Sequence, residues 1–351
     1  MRWPGRALAG DRDVLREVAG YVVALLLGMG AIVGFIVAMG SDVGLALRTF
    51  LESTLGNRVA FGQTLNKVTP LLLGGLAVAL GLRAGCFNIG VDGQIYLGAI
   101  AATGFALSLG ATAMPPVLFV SLLLLAGMAG GALLGGIPAI LRAYWGVSEI
   151  FVTVMLNFVA VYLVEYLATG PWNDPMAGEA ITRPIPSSAG LPILLKSAGT
   201  HGGIVLAVGA AALVWLLLKR TRLGFEIGAV GDNARAARVA GINTRRITLF
   251  ALVASGAVAG LAGAIEVAGL HGRLILGLSP GYGVMAILIA VLGRNAPLGI
   301  VFVSFGMAVL LVGSDSLQRS VGLPASAALV CQAIVVLTVL MLNAETRQSP
   351  Q

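Results

Sequence analysis

Gly81-Leu-Arg83-Ala-Gly85-Cys86-Phe-Asn88-Ile-Gly90-Val-Asp92-Gly93-Gln94-Ile-Tyr96 is the stretch that decides how this chain is read. Apolar sequence runs up to it over residues 67–83 and away from it over 88–110. Each run comes close to the roughly 20 residues that an α-helix needs to cross a bilayer. Four glycines, two amides and an acid interrupt what would otherwise be continuous lipid-soluble sequence. Polar groups at membrane depth are costly and tend to face a cavity. A second interruption lies in the other half of the chain, where Leu274–Leu278 precedes Ser279-Pro280 and a short apolar run over 280–293. Serine followed by proline is a helix-opening signature, and this run spans only about 21 Å as a helix. Paired broken helices point to a transport path. The competing reading is that the glycines serve close helix packing alone.

The rest of the chain agrees with a membrane setting. Of its 351 residues, 58% are hydrophobic and 11% charged, and the mean hydropathy is +0.96. Soluble domains carry about 25% charged residues. Crossings are expected at 19–39, 67–83, 88–110, 115–141, 148–169, 202–218, 247–270, 280–293, 296–312 and 324–342. The expectation is an all-α, polytopic integral membrane bundle of about eight to ten helices with interrupted or re-entrant segments. Residues 1–351 are read as one transmembrane domain.

The net charge of +7 is a matter of orientation. With the N-terminus inside, most of the 22 basic residues fall in inside segments, above all Arg2, Arg6, Arg12 and Arg16 and the stretch 219–246. That bias puts both termini in the cytoplasm. Arg48, Arg58 and Lys67 fall in an outside connection. Such charge placement leaves no case for nucleic-acid binding. The first apolar run is too long for a signal peptide, so it is read as an uncleaved helix. Residues 170–200, with five prolines from Pro171 to Pro192, read as an ordered extracytoplasmic loop.

Cys86 and Cys331 sit beside apolar runs with no CxxC pair, and His201 and His271 stand alone near helix ends. No metal site, cofactor or disulfide framework is expected. No G-x-x-x-x-G-K-[ST] loop occurs, so ATP binding by that route is excluded. Neither a nucleophile–base pair nor an HExxH motif is present, so no catalytic residue is assigned and an enzyme ranks last.

Three segments carry chemistry. Asn88, Asp92 and Tyr96 recur every four residues and would share one helical face. Asn88 is a good cap, and an early acid suits the helix dipole. Asp92 and Gln94 nevertheless lead straight into an apolar crossing, which suits a pore as well as a cap. In the second segment Glu149, Thr153 and Asn157 form a stripe, with Glu165 further along. Asn157 falls near mid-membrane, where interhelical hydrogen bonding is the alternative to a pathway role. Glu266 raises the same question. The third segment, Asp232-Asn233-Ala234-Arg235-Ala-Ala237-Arg238-Val-Ala-Gly241, holds a cap, a short helix and a stop. It would dock into a groove on a soluble partner, or else be an ordinary solvated helix.

Taken in order, four stretches resemble the permease subunits of bacterial ABC importers for simple sugars and nucleosides. They are Gly85-Cys-Phe-Asn-Ile-Gly-Val-Asp-Gly-Gln94, Val147-Ser-Glu-Ile-Phe-Val-Thr-Val-Met-Leu-Asn157, Gly231-Asp-Asn-Ala-Arg-Ala-Ala-Arg-Val-Ala-Gly-Ile-Asn243, and Gly281-Tyr-Gly-Val-Met-Ala-Ile through Leu292-Gly293. The resemblance covers residues 60–342 and is strongest to the nucleoside branch. It implies an inner-membrane permease that works with two ATPase subunits, a second permease copy or paralogue, and an extracytoplasmic solute-binding protein. It makes 219–246 the cytoplasmic coupling loop, with Asp232, Asn233, Ala234, Arg235, Ala237, Arg238 and Gly241 at the ATPase. The expected pathway residues are Asn88, Asp92, Gln94, Asn157 and Glu165. An ion-coupled secondary transporter, using Asp92, Glu165 or Glu266 as ion sites, is the competing function.

Overall fold

The computed structural model describes residues 42–110 and 114–321, with isolated positions at 34, 37, 330, 333 and 337. The expected first and last crossings, 19–39 and 324–342, lie outside the continuously described residues. Contacts divide the chain into two units, residues 61–308 and the flanking residues 1–60 with 309–351.

Within the flanking unit, helix α1 (Val43–Thr54) opens where Asp42 accepts a hydrogen bond from Leu45 N at 3.1 Å. Arg48 and Glu52 pair one turn apart at 2.7 Å on its exposed face. The sequence pattern places these residues in a connection between crossings. Their helix is short and amphipathic, and so carries no membrane-crossing signal.

The larger unit contains α2 (Arg58–Arg83, entering from the flanking unit), α3 (Val91–Leu109), α4 (Pro116–Trp145), α5 (Glu149–Thr169) and α6 (Gly203–Arg220). After these come α7 (Arg222–Asp232), α8 (Ala234–Val239), α9 (Thr244–Ile265), α10 (Tyr282–Leu292) and α11 (Pro297–Val321), whose residues from 309 on belong to the flanking unit. Six spans among the described residues are long and apolar enough to cross a membrane. They are α2, α4, α5, α6, α11, and α9 together with the wide turn Glu266–His271 that continues it.

Small residues set the centre of this unit. Gly98 of α3 faces Gly260 of α9, Gly131 of α4 faces Gly256 and Gly260, and Gly263 of α9 lies on the Ile95 carbonyl of α3. Any side chain at these positions would overlap the opposing backbone. Lipid supplies no hydrophobic drive between helices, so such close backbone approach is how membrane helices gain packing energy.

The glycine-interrupted stretch is a fold-back. Arg83 ends α2, Cys86 N donates to the Gly81 carbonyl, and the chain then climbs back along α2 until Val91 stands beside Gly74. The helix α3 therefore starts about 14 Å from the end of α2, reckoned from nine residues of helical rise. The expected crossing at 88–110 is corrected here: α3 begins at Val91, its N-cap is Gly90, and Asn88 is neither capping it nor on its face. A helical Asn88 would leave no backbone free to turn back into the bundle.

The second interruption is similar. Gly272, at φ +64°, ends the wide turn, residues 274–281 are irregular, and α10 starts after Gly281 at φ +80°. Ser279 does not cap this helix as its sequence suggests. With 11 residues, α10 is about 16 Å long, half a bilayer. It lies along α2, with Ala286 at Gly74 and Ile289 at Gly75.

At one end of the unit, residues 170–202 form an ordered cap. A bulged hairpin pairs Ile193–Leu195 with Thr200–His201, and Leu191 N, Ile185 N and Thr182 N donate to the carbonyls of Ala268, Gly272 and Leu274. The wide turn 266–271 and the chain beyond it thus find partners in the cap. Two expected crossings also prove longer: α2 begins nine residues before 67, which brings Lys67 into a helix, and α11 runs on to Val321.

Candidate functional site

The two half-helices meet at one carboxylate. Asp92, in the first turn of α3, accepts from Gly283 N at 2.8 Å and from Ser279 Oγ at 2.6 Å. Ser279 precedes α10 and Gly283 lies in its first turn. The Asp92 carboxyl group therefore stands between two helix N-termini, each an electropositive end with N–H groups that lack intrahelical partners. Tyr96, one turn on, donates to the Ser279 carbonyl at 3.3 Å and accepts from Ser279 N at 3.4 Å. Lys67 of α2 donates to Tyr282 Oη at 2.9 Å, with its ammonium 5.6 Å from the ring centre.

Just below, the fold-back is held by amides. Asn88 is fully buried and its Nδ2 donates to Gln94 Oε1 at 2.9 Å and to Ser255 Oγ at 2.8 Å. Its Oδ1 accepts from Gly90 N at 3.0 Å and Gln94 Nε2 at 3.2 Å. The Ser255 hydroxyl in turn donates a hydrogen bond to the Ala77 carbonyl of α2. This ring closes the polar demands of a non-helical segment inside lipid, which would otherwise be prohibitive.

The stripe on α5 does the same from the other side. Asn157 Oδ1 accepts from Gly93 N at 2.8 Å, and its Nδ2 donates to the Ile89 carbonyl at 3.0 Å. Glu149, 3% exposed, accepts from Phe87 N at 2.9 Å and pairs with Arg142, which also donates to the Gly85 carbonyl. Thr153 packs on Gly90. Glu149, Thr153 and Asn157 share one face because the fold-back runs along it. Glu165 stands apart from this cluster, exposed on the surface of α5.

A second buried group lies under the cap. Glu266 is 1% exposed, neither of its oxygens has a hydrogen-bond partner, and His271 Nε2 stands 3.5 Å away. The His201 ring packs against Gly269, and its Nδ1 accepts from Gly203 N at 3.2 Å. No group of three or more His, Cys, Asp or Glu able to hold a metal occurs among the described residues.

At the opposite end, Asn233 caps α8 by accepting from Arg235 N and Ala236 N, each at 3.0 Å, and Gly241 ends it at φ +84°. Asp232 is the last residue of α7. Ala234, Arg235, Ala236, Arg238 and Val239 are exposed, Val239 at 91%, while Ala237 is buried with Ala84, Cys86, Ile227 and Leu252. Gly231, at the end of α7, lies directly on the backbone of Arg83 and Gly85. The protruding helix is thus bolted to the base of the fold-back that leads to Asp92.

Of these residues, sequence reading missed Lys67, Arg142 and Ser255. Lys67 and Arg142 carried a visible signal as lone cations within or beside apolar runs. Ser255 carried none.

The profile of the family described as "Branched-chain amino acid transport system / permease component" matches residues 60–342. A glucose ABC transporter permease protein of Haloferax volcanii is 38% identical over 315 residues, covering 86% of this chain and 81% of the relative. A guanosine ABC transporter permease protein of Bacillus subtilis is 32% identical over 324 residues, 91% of each chain. A galactofuranose transporter permease protein of Escherichia coli is 29% identical over 328 residues, covering 91% of this chain and 90% of the relative. No solved structure matches.

Proposed function

The chain belongs to the branched-chain amino acid transport system / permease component family, and from that premise we propose that it conducts a nucleoside or a simple sugar into the cell past Asp92. It is an integral membrane permease of an ABC transporter and not an enzyme; it works with a separate ATPase and a solute-binding protein. The supporting observation is the meeting of two half-helix N-termini on one carboxylate within an apolar bundle. Broken helices of this kind mark solute sites in membrane transporters.

The 170–200 cap faces the outside in this reading and receives the solute-binding protein. Residues 219–246 lie in the cytoplasm, as do both termini, and the membrane is the bacterial inner membrane. Helix α8 presses its exposed Arg235, Arg238 and Val239 into an ATPase, and two ATPase subunits serve this chain and a second permease copy or paralogue. Movement at α8 reaches the fold-back through Ala237 and Gly231. Asn88, Gln94 and Asn157 hold the unwound backbone, and Asp92 locks or releases α10. Glu165, exposed on α5, meets the path only across a contact with the second permease.

Reconstituted importer, assembled with its ATPase and binding protein, tests this with labelled guanosine and glucose. Uptake of at least one that needs ATP and survives an uncoupler is expected. Uptake driven by an ion gradient without nucleotide overturns the reading.

A further inference from the structure

We propose that Lys67 is a solute-contacting residue, a fixed positive donor that makes the path selective for neutral or anionic, acceptor-rich solutes. This rests on the transport reading above.

Lys67 lies nine residues into α2, on the same helical stretch that packs against α10. An ammonium at that depth facing lipid is costly, so such groups face a cavity or a partner. Its described partner is the neutral phenol of Tyr282, itself fully buried at the start of α10. Among the described residues no carboxylate forms an ion pair with Lys67. Asp92 is engaged with Ser279 and Gly283 instead. Tyr282 and Gly283 are neighbours, so the ammonium and the carboxylate flank the same helix opening. One presents donors, the other acceptors, and Lys67 is half-exposed while Tyr282 is not. The phenol holds the ammonium in place by a hydrogen bond and by its ring face. Two of the three ammonium protons remain for oxygen or nitrogen acceptors, such as sugar hydroxyls or purine carbonyls. A cationic solute would meet like charge there.

The test uses the complete importer in proteoliposomes. Lys67→Cys is treated with aminoethyl methanethiosulfonate, which rebuilds a positive side chain, or with sulfonatoethyl methanethiosulfonate, which places a negative one. Wild-type importer is the labelling control for Cys86 and Cys331. Labelling of Lys67→Cys that slows in the presence of guanosine or glucose, whichever the wild type transports, is expected. Maximal uptake should fall about tenfold in Lys67→Cys, return with the aminoethyl reagent and stay low with the sulfonate. Affinity of the binding protein should not change. Lys67→Arg, which keeps the charge, should retain most transport and shows that the position tolerates change. Equal uptake in Lys67→Met, or labelling indifferent to solute, overturns the role of Lys67 and leaves the transport reading intact. Failure of the wild type to transport either solute strikes at that reading instead.

Discussion

Gly283 donates its backbone N–H to Asp92 at 2.8 Å, and a methyl group on Gly283 would occupy the space of that same carboxylate. The glycine is required by proximity, because its φ is ordinary. Gly283→Ala should push Asp92 off α10 and cut uptake severely, with the protein still reaching the membrane. Gly306→Ala, with nothing within 4 Å of the added carbon, is the matched control and should be neutral or slightly stabilising. Equal uptake in both variants would remove the Asp92–α10 contact from the mechanism.

Asp92→Asn keeps an acceptor for Gly283 N, whereas Asp92→Ala strands Gly283 N and the Ser279 hydroxyl. A buried group left unpaired costs about 1–3 kcal/mol. The alanine variant should therefore lose thermal stability in detergent, and the asparagine variant much less. Transport separates them differently. If the charge matters, both lose uptake.

Arg142 and Glu149 secure the base of the fold-back. Removing the arginine leaves a buried carboxylate whose remaining partner is one backbone N–H. The full loss for a broken buried pair is about 3–5 kcal/mol, and the partly exposed Arg142 puts this case at the lower end. Arg142→Ala should destabilise more than the double change Arg142→Ala with Glu149→Gln, as read by melting in detergent.

The α8 surface and its root are separable. Arg235→Glu or Arg238→Glu alters exposed charge and should abolish stimulation of the ATPase while stability holds. Ala237→Asp and Gly231→Val strike buried contacts with Ala84, Cys86 and Gly85, and should lower stability as well. Normal ATPase stimulation in Arg238→Glu would refute the coupling role.

Burial pushes the His201 imidazole below its usual range, partly opposed by the Glu266 carboxylate. The folded protein therefore favours neutral His201 more than the unfolded chain does. Its contribution to stability is complete above the unfolded value of about 6.5 and is lost as pH falls below it. Proteolysis of the 170–202 cap should quicken on acidification in the wild type. In His201→Asn that pH dependence should flatten.

Most of the fold was legible. Long apolar runs locate the described crossings, and Asn233 and Gly241 bound α8 as their chemistry requires. Asn88 was misread because a polar residue before an apolar run looks like a cap. Its real task is to satisfy backbone groups that turn back into the bundle, and nothing in the local pattern distinguishes the two. Lys67 was placed in a connection because the hydrophobic window begins beside it, yet the helix starts nine residues earlier. The stripe Glu149, Thr153 and Asn157 was visible from its spacing, but the segment it serves was not.

By itself the sequence determined that this is a helical membrane protein with two broken crossings and one capped protruding helix. Lipid leaves an unpaired backbone no alternative to the helix, so apolar length and glycine breaks suffice to read that much. Only the tertiary structure decided that the two breaks meet at Asp92 and that Lys67 stands beside them. Such meetings join residues about two hundred positions apart through hydrogen bonds and close backbone packing, and no periodicity along the chain records them.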